Sequence, residues 1–151
     1  MNLFAKMAME GIDATFGIMN TMGTIEDAGN VLKDFFSDEG VSAQAFLDMY
    51  NLRSYNFANK QQDIKIMKNF DFEGVYVIYN KKWDLYYVGK SKKVFHKIER
   101  HFNGYGNKEI YTCWKRNEEF LVHGIRLDKS GYDNLDLLAR DTVENYDGLL
   151  I

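Results

Sequence analysis

The stretch Gly74-Val75-Tyr76-Val77-Ile78-Tyr79-Asn80-Lys81-Lys82-Trp83-Asp84-Leu85-Tyr86-Tyr87-Val88-Gly89 decides the fold. It holds two short motifs, Gly74-Val75-Tyr76 and Tyr87-Val88-Gly89, with ten residues between the two tyrosines. Apolar and aromatic β-formers flank a polar, turn-like centre, Asn80 to Asp84. That pattern predicts a β-hairpin with one tyrosine and one glycine on each strand. Gly74 and Gly89 would let the backbone and a substrate approach closely.

Downstream, Lys90 to Phe102 reads as a basic amphipathic helix, ended by the glycines of Asn103-Gly104-Tyr105-Gly106-Asn107. Glu118 to Leu127 predicts a third strand, with Phe120, Val122 and Gly124 on one side and Leu121, His123 and Ile125 on the other. Lys129 to Asp133 is a turn, and Asn134 or Asp133 caps a last helix containing Leu135, Leu138, Val143 and Tyr146. No element is assigned to 108–117. The expectation for 71–151 is an α+β domain: a small three-stranded antiparallel sheet flanked by helices.

Residues 1–70 read as a helical N-terminal region. Leu3, Met7, Ala14, Ile18 and Met22 form an apolar stripe at helical spacing. Thr24 begins a second helix running to Phe36, and Ser42 caps a third running to Tyr50. A polar, aromatic connection follows from Asn51, and Lys60 to Asn69 is a last short helix. Five of the seven methionines lie in the first 22 residues. Methionine adapts to irregular partners, so this helix either binds a protein partner or packs on its own domain.

The composition limits the function classes. With 46% hydrophobic and 15% aromatic residues, 151 residues can bury a core, so the chain is not disordered. Its one cysteine, Cys113, excludes an intramolecular disulfide and a Cys-rich zinc site. The three histidines lack metal-ligand spacing on one element, and Gly104 and Gly106 lack the context of a dinucleotide loop. Charged residues interrupt the N-terminus, so neither a signal peptide nor a membrane span is expected, and a cytoplasmic location is the default. Secretion without a cleaved signal leaves no trace in sequence. Net charge is −3, yet Lys81, Lys82, Lys90, Lys92, Lys93, Lys97 and Arg100 are opposed between 81 and 100 only by Asp84 and Glu99. A basic strip on an acidic protein suits phosphate binding; it also suits a solvated helix face.

The two motifs at this spacing, followed by a basic helix with a histidine, resemble the GIY-YIG nuclease family over 72–148. The resemblance implies a metal-dependent endonuclease acting on DNA phosphodiester bonds. It implies that Tyr76 and Tyr87 sit by the scissile phosphate, one of them as general base. Such a tyrosine needs nearby positive charge, for which Lys90, Lys93 and Lys97 are candidates. Lys97 occupies the position of the family's catalytic arginine, and His101 matches a histidine common in the family. Lysine is a point charge without arginine's planar fork, which weakens transition-state positioning. Lys90, Lys93 and Arg100 are candidate nucleic-acid contacts.

The family's metal-binding glutamate falls at Ala139, which cannot bind the implied Mg2+ or Mn2+. Asp136, one helical turn earlier and about 60° around the axis, is the substitute candidate. The family's later asparagine is absent, and Gly148-Leu149-Leu150-Ile151 reads as a truncated or degenerate end. These departures predict a GIY-YIG-type endonuclease by ancestry, impaired in this sequence. The alternative is a non-catalytic pseudo-nuclease that binds nucleic acid, or a protein partner through its methionine-rich helix.

Overall fold

The structure, a computed structural model, describes residues 25–51 and 70–151. The methionine-rich helix, the connection after Asn51 and the helix expected at 60–69 lie outside the described residues. Chain order is α1 (Ile25–Phe35), β1 (Val41–Ser42), α2 (Ala43–Asn51), β2 (Gly74–Asn80), β3 (Leu85–Ser91), α3 (Val94–Phe102), α4 (Lys108–Lys115), β4 (Phe120–Arg126), α5 (Leu127–Ser130), α6 (Leu135–Tyr146) and β5 (Leu149–Leu150).

The two motifs pair as a hairpin. Strands β2 and β3 are antiparallel over their whole length, from Gly74 opposite Ser91 to Asn80 opposite Leu85. The turn is closed by a side chain: Asn80 Oδ1 accepts from the backbone N–H groups of Lys82 (2.9 Å) and Trp83 (3.3 Å). Strand β4 pairs antiparallel with the other side of β2. These three strands are the sheet expected from sequence, and two short strands extend it to the order β1-β4-β2-β3-β5. Strand β1 runs antiparallel to β4, and β5 runs parallel to β3. Ile151 N–H adds a bond to Val88 O at 2.8 Å. The bare edges of a three-stranded sheet carry unpaired backbone groups, and these short segments satisfy part of each edge.

Strand alternation sorts the sheet into two faces. Tyr76, Ile78, Tyr87, Phe120 and Val122 belong to the larger core. Val75, Val77, Val88 and Ile125 pack with Leu138, Ala139 and Val143 of α6. The larger core is closed by α1, α2, α3 and α4, which contribute Leu32, Phe35, Phe46, Met49, Phe95, Ile98 and Ile110, all fully buried. Its centre is a phenylalanine cluster. Phe35 meets Phe46 at 5.3 Å and Phe95 at 5.4 Å between ring centroids, and Phe95 meets Phe72 edge-on at 5.2 Å. A Cβ on Gly124 would lie 2.3 Å from the Phe35 ring, so that glycine makes room for the cluster on β4. Residues 25–51 and 70–151 therefore share one core, and β1 shares the sheet. Described elements on both sides of the 70/71 division are in contact.

Three boundaries differ from the sequence expectation. Lys90 and Ser91 belong to β3, and the basic helix starts only at Val94, because β2 extends pairing to Ser91. Helix α4, Lys108–Lys115, lies in the stretch 108–117, which carried no assignment. Asn107 caps it by accepting from Glu109 N–H (2.9 Å) and Ile110 N–H (3.2 Å). The turn expected at Lys129 begins as the one-turn helix α5, ended by Gly131 in the left-handed region. The other caps follow the sequence: Ser42 Oγ accepts from Ala45 N–H (3.1 Å), and Asn134 Oδ1 from Leu137 N–H (2.9 Å).

Phe35→Ala is expected to destabilise the whole fold by about 3–5 kcal/mol, the usual range for a buried phenylalanine. Urea unfolding followed by near-ultraviolet dichroism should give one shifted transition. A separate early transition for α1 and α2, leaving the sheet intact, would show that these helices are not part of the core.

Candidate active site around Tyr76 and His101

Tyr76 occupies a row of the sheet whose other members are glycines, Gly89 on β3 and Gly124 on β4. Its ring lies over Gly89: a Cβ there would sit 2.1 Å from Tyr76 Cζ and 2.2 Å from its hydroxyl. The second motif's glycine is thus the floor beneath the first motif's tyrosine. The phenol reaches α3, where its oxygen lies 2.7 Å from His101 Nε2. Tyr76 is 1% exposed and His101 4%.

The loop after α3 wraps the histidine. Asn107 N–H donates to His101 Nδ1 at 2.8 Å. Gly106 lies flat against the ring, and a Cβ on it would sit 2.2 Å from Nδ1. Burial, with Lys97 nearby, lowers the His101 pKa to about 4, so the ring is neutral near neutrality. Burial alone holds the Tyr76 hydroxyl well above the ordinary tyrosine value.

Tyr87 shares the face of Tyr76 but serves a different neighbourhood. Its hydroxyl is also pushed up, first by burial and then by the Glu109 carboxylate, with Cys113 and Glu118 adding to the effect. Both motif tyrosines are buried core residues; burial raises both hydroxyls, joined by carboxylates only at Tyr87. Glu118 is itself buried and well partnered, accepting from Asn80 Nδ2 (2.9 Å) and Trp83 Nε1 (3.0 Å) on one oxygen. These bonds keep its carboxyl below the usual range.

The cations of the basic strip are divided. Lys97 is half-buried on α3 beside His101. Lys93 is exposed and immediately precedes the helix. Arg100 is half-buried, with its guanidinium 5.0 Å from the exposed Tyr105 ring. Lys90 departs from the expectation. Strand alternation places it in the row of Val75 and Ile125, on the opposite face from Tyr76, where it pairs with Asp136 of α6. Lys81 and Lys82 lie at the far tip of the hairpin, the first paired with Glu119 at 3.0 Å and the second over Trp83 at 5.3 Å.

The α3 N-terminus is also occupied. Asp71 accepts from Phe95 N–H (2.7 Å) and His96 N–H (3.0 Å), while Val94 N–H donates to Phe72 O (3.0 Å). The chain itself fills the position where a helix start would otherwise receive a phosphate. Sequence reading missed the roles of Asp71 and of Gly106-Asn107. Asn107, three residues before Ile110, is a capping signal that could have revealed α4 and with it the clamp on His101.

The residues do not fit the divalent ion that the resemblance implies. Ala139 is 3% exposed and packed with Val75, Val77, Val88 and Leu138. Asp136 is tied to Lys90 on the face away from Tyr76 and His101. Among the described residues, no group of three or more His, Cys, Asp or Glu side chains could hold a metal ion. Nor is any described helix long and apolar enough to cross a membrane.

The neutral, buried His101 carries a pH dependence. Its folded pKa, about 4, lies below the ordinary 6.5, so the unfolded state binds the proton first. Stability that is full above about 6.5 should fall as pH drops toward 4, then level off with respect to this group. Subtracting a His101→Gln stability profile from that of the native chain should isolate this loss, on the order of 1–3 kcal/mol. Parallel profiles across that window would refute it.

Residues 72–133 match the family model described as the GIY-YIG catalytic domain. No curated protein matches the chain, and no solved structure matches it. The matched segment contains both motif strands, the glycine under Tyr76, and the helix that brings His101 to the tyrosine, and these features support membership of the GIY-YIG superfamily for this part of the chain.

Proposed function

We propose that this protein is a GIY-YIG-type endonuclease by descent that engages the phosphate backbone of DNA and cleaves it weakly or not at all. The observation that carries this reading is the surroundings of Ala139. A methyl group packed among valines and a leucine stands where the family's glutamate is expected. A carboxylate there would be buried without a described partner, which is strongly unfavourable for a charge. The substitute acid, Asp136, has its own cation in Lys90.

What remains suits binding better than hydrolysis. Lys97 offers a positive charge beside a neutral His101, and Lys93 and Arg100 extend that charge along α3. Lysine attracts a phosphate without fixing its orientation. The tyrosines hold their protons firmly, which is the wrong state for a general base at neutral pH. The competing reading, a domain that binds only a protein partner, draws its support from the methionine-rich N-terminal sequence.

Incubation of supercoiled plasmid with the protein and Mg2+ or Mn2+ should give little nicking. Rapid nicking lost on Tyr76→Phe substitution would overturn the impairment. Ala139→Glu should lower stability; if it also confers metal-dependent nicking, the ancestral site would be confirmed. A duplex-binding titration over a range of salt concentrations tests the backbone contact. Lys97→Ala should weaken binding similarly for unrelated sequences and reduce the logarithmic salt slope by about one. Unchanged affinity and slope would remove Lys97 from the contact.

A further inference from the structure

The hydrogen bonds around His101 admit one proton arrangement. A backbone N–H can only donate, so the bond from Asn107 to Nδ1 requires a lone pair on Nδ1. The neutral ring then carries its hydrogen on Nε2. That hydrogen points to Tyr76, 2.7 Å away, so the phenolic oxygen is the acceptor. Tyr76 must direct its own hydrogen elsewhere, and no acceptor for it is placed among the described residues. The side chain is 1% exposed. Protonating His101 would set a second N–H against that of Asn107, donor against donor.

The lock is built into the backbone. Asn107 is held by capping α4, and Gly106 presses on the ring where any side chain would collide. A hydroxyl in place of the Asn107 N–H could rotate and allow either tautomer; a peptide N–H fixed at a helix start cannot.

We propose that the Asn107 backbone N–H is a positioning group that locks His101 as the Nε2–H tautomer, so that the imidazole donates to the Tyr76 oxygen and cannot take the Tyr76 proton. Both ring nitrogens are committed. The consequence for cleavage rests on the function proposed above; the tautomer does not. A Tyr76 with no base at His101 gives a second reason for weak cleavage, separate from position 139.

Ring nitrogens of histidine report their protonation in long-range proton–nitrogen NMR spectra. At neutral pH, His101 in the full chain should appear as a single Nε2–H tautomer. Asn107→Ser keeps both the cap and the backbone N–H and should leave that signature unchanged. Asn107→Pro removes the N–H at a φ of −69°, which proline accepts, and should give mixed tautomers or a protonated ring. An Nδ1–H or doubly protonated His101 in the native chain, or loss of the signature in Asn107→Ser, overturns the lock. Those two readings decide the matter even if Asn107→Pro does not fold.

Discussion

The contact between the Tyr76 ring and Gly89 is the constraint on which the site depends. Antiparallel register sets the two residues opposite each other, and the missing side chain lets the ring lie down across β3. From there the hydroxyl reaches α3 and engages His101, which the following loop grips from the other side. Any side chain at 89 would overlap the phenol, and any at 106 would overlap the imidazole. Two glycines far apart in sequence therefore define one hydrogen-bonded chain from β2 to the start of α4. Burial then decides its chemistry, because desolvation favours the neutral form of both phenol and imidazole.

The sheet separates charges that lie close together in sequence. Gly89 and Lys90 are adjacent, yet Gly89 sits under Tyr76 while Lys90 pairs with Asp136 behind the sheet. The basic strip is thus divided among the hairpin tip, the rear face and α3, and only Lys97 lies beside His101. Behind the sheet, α6 packs Leu138 and Ala139 against Val75, Val77 and Val88. A helix committed to apolar packing at this position has little room for a metal ligand.

Several elements were legible because short-range rules govern them. The hairpin followed from β-formers around a polar turn, and the third strand from its alternation; the N-caps of α2 and α6 followed from Ser42 and Asn134. Helix α4 was missed because the glycine-rich loop before it reads as irregular, although Asn107 begins a regular helix. The edge strands escaped notice because two-residue strands carry no periodicity. Their existence depends on an edge already being present.

By itself the sequence determined the motif strands, their pairing and the spacing that brings a histidine-bearing helix after them, because these depend on alternation, turn residues and helical period. It also determined that positions 97 and 139 lack the side chains the resemblance implies. Tertiary structure alone decided that both motif tyrosines are buried, that Lys90 turns away from them toward Asp136, and that Asp71 closes the start of α3. It also placed the Asn107 N–H on His101. The physical reason is that burial, electrostatic pairing and hydrogen-bond direction are set by groups distant in the chain: 25 residues separate Tyr76 from His101, and 46 separate Lys90 from Asp136. No local pattern encodes which of them will meet.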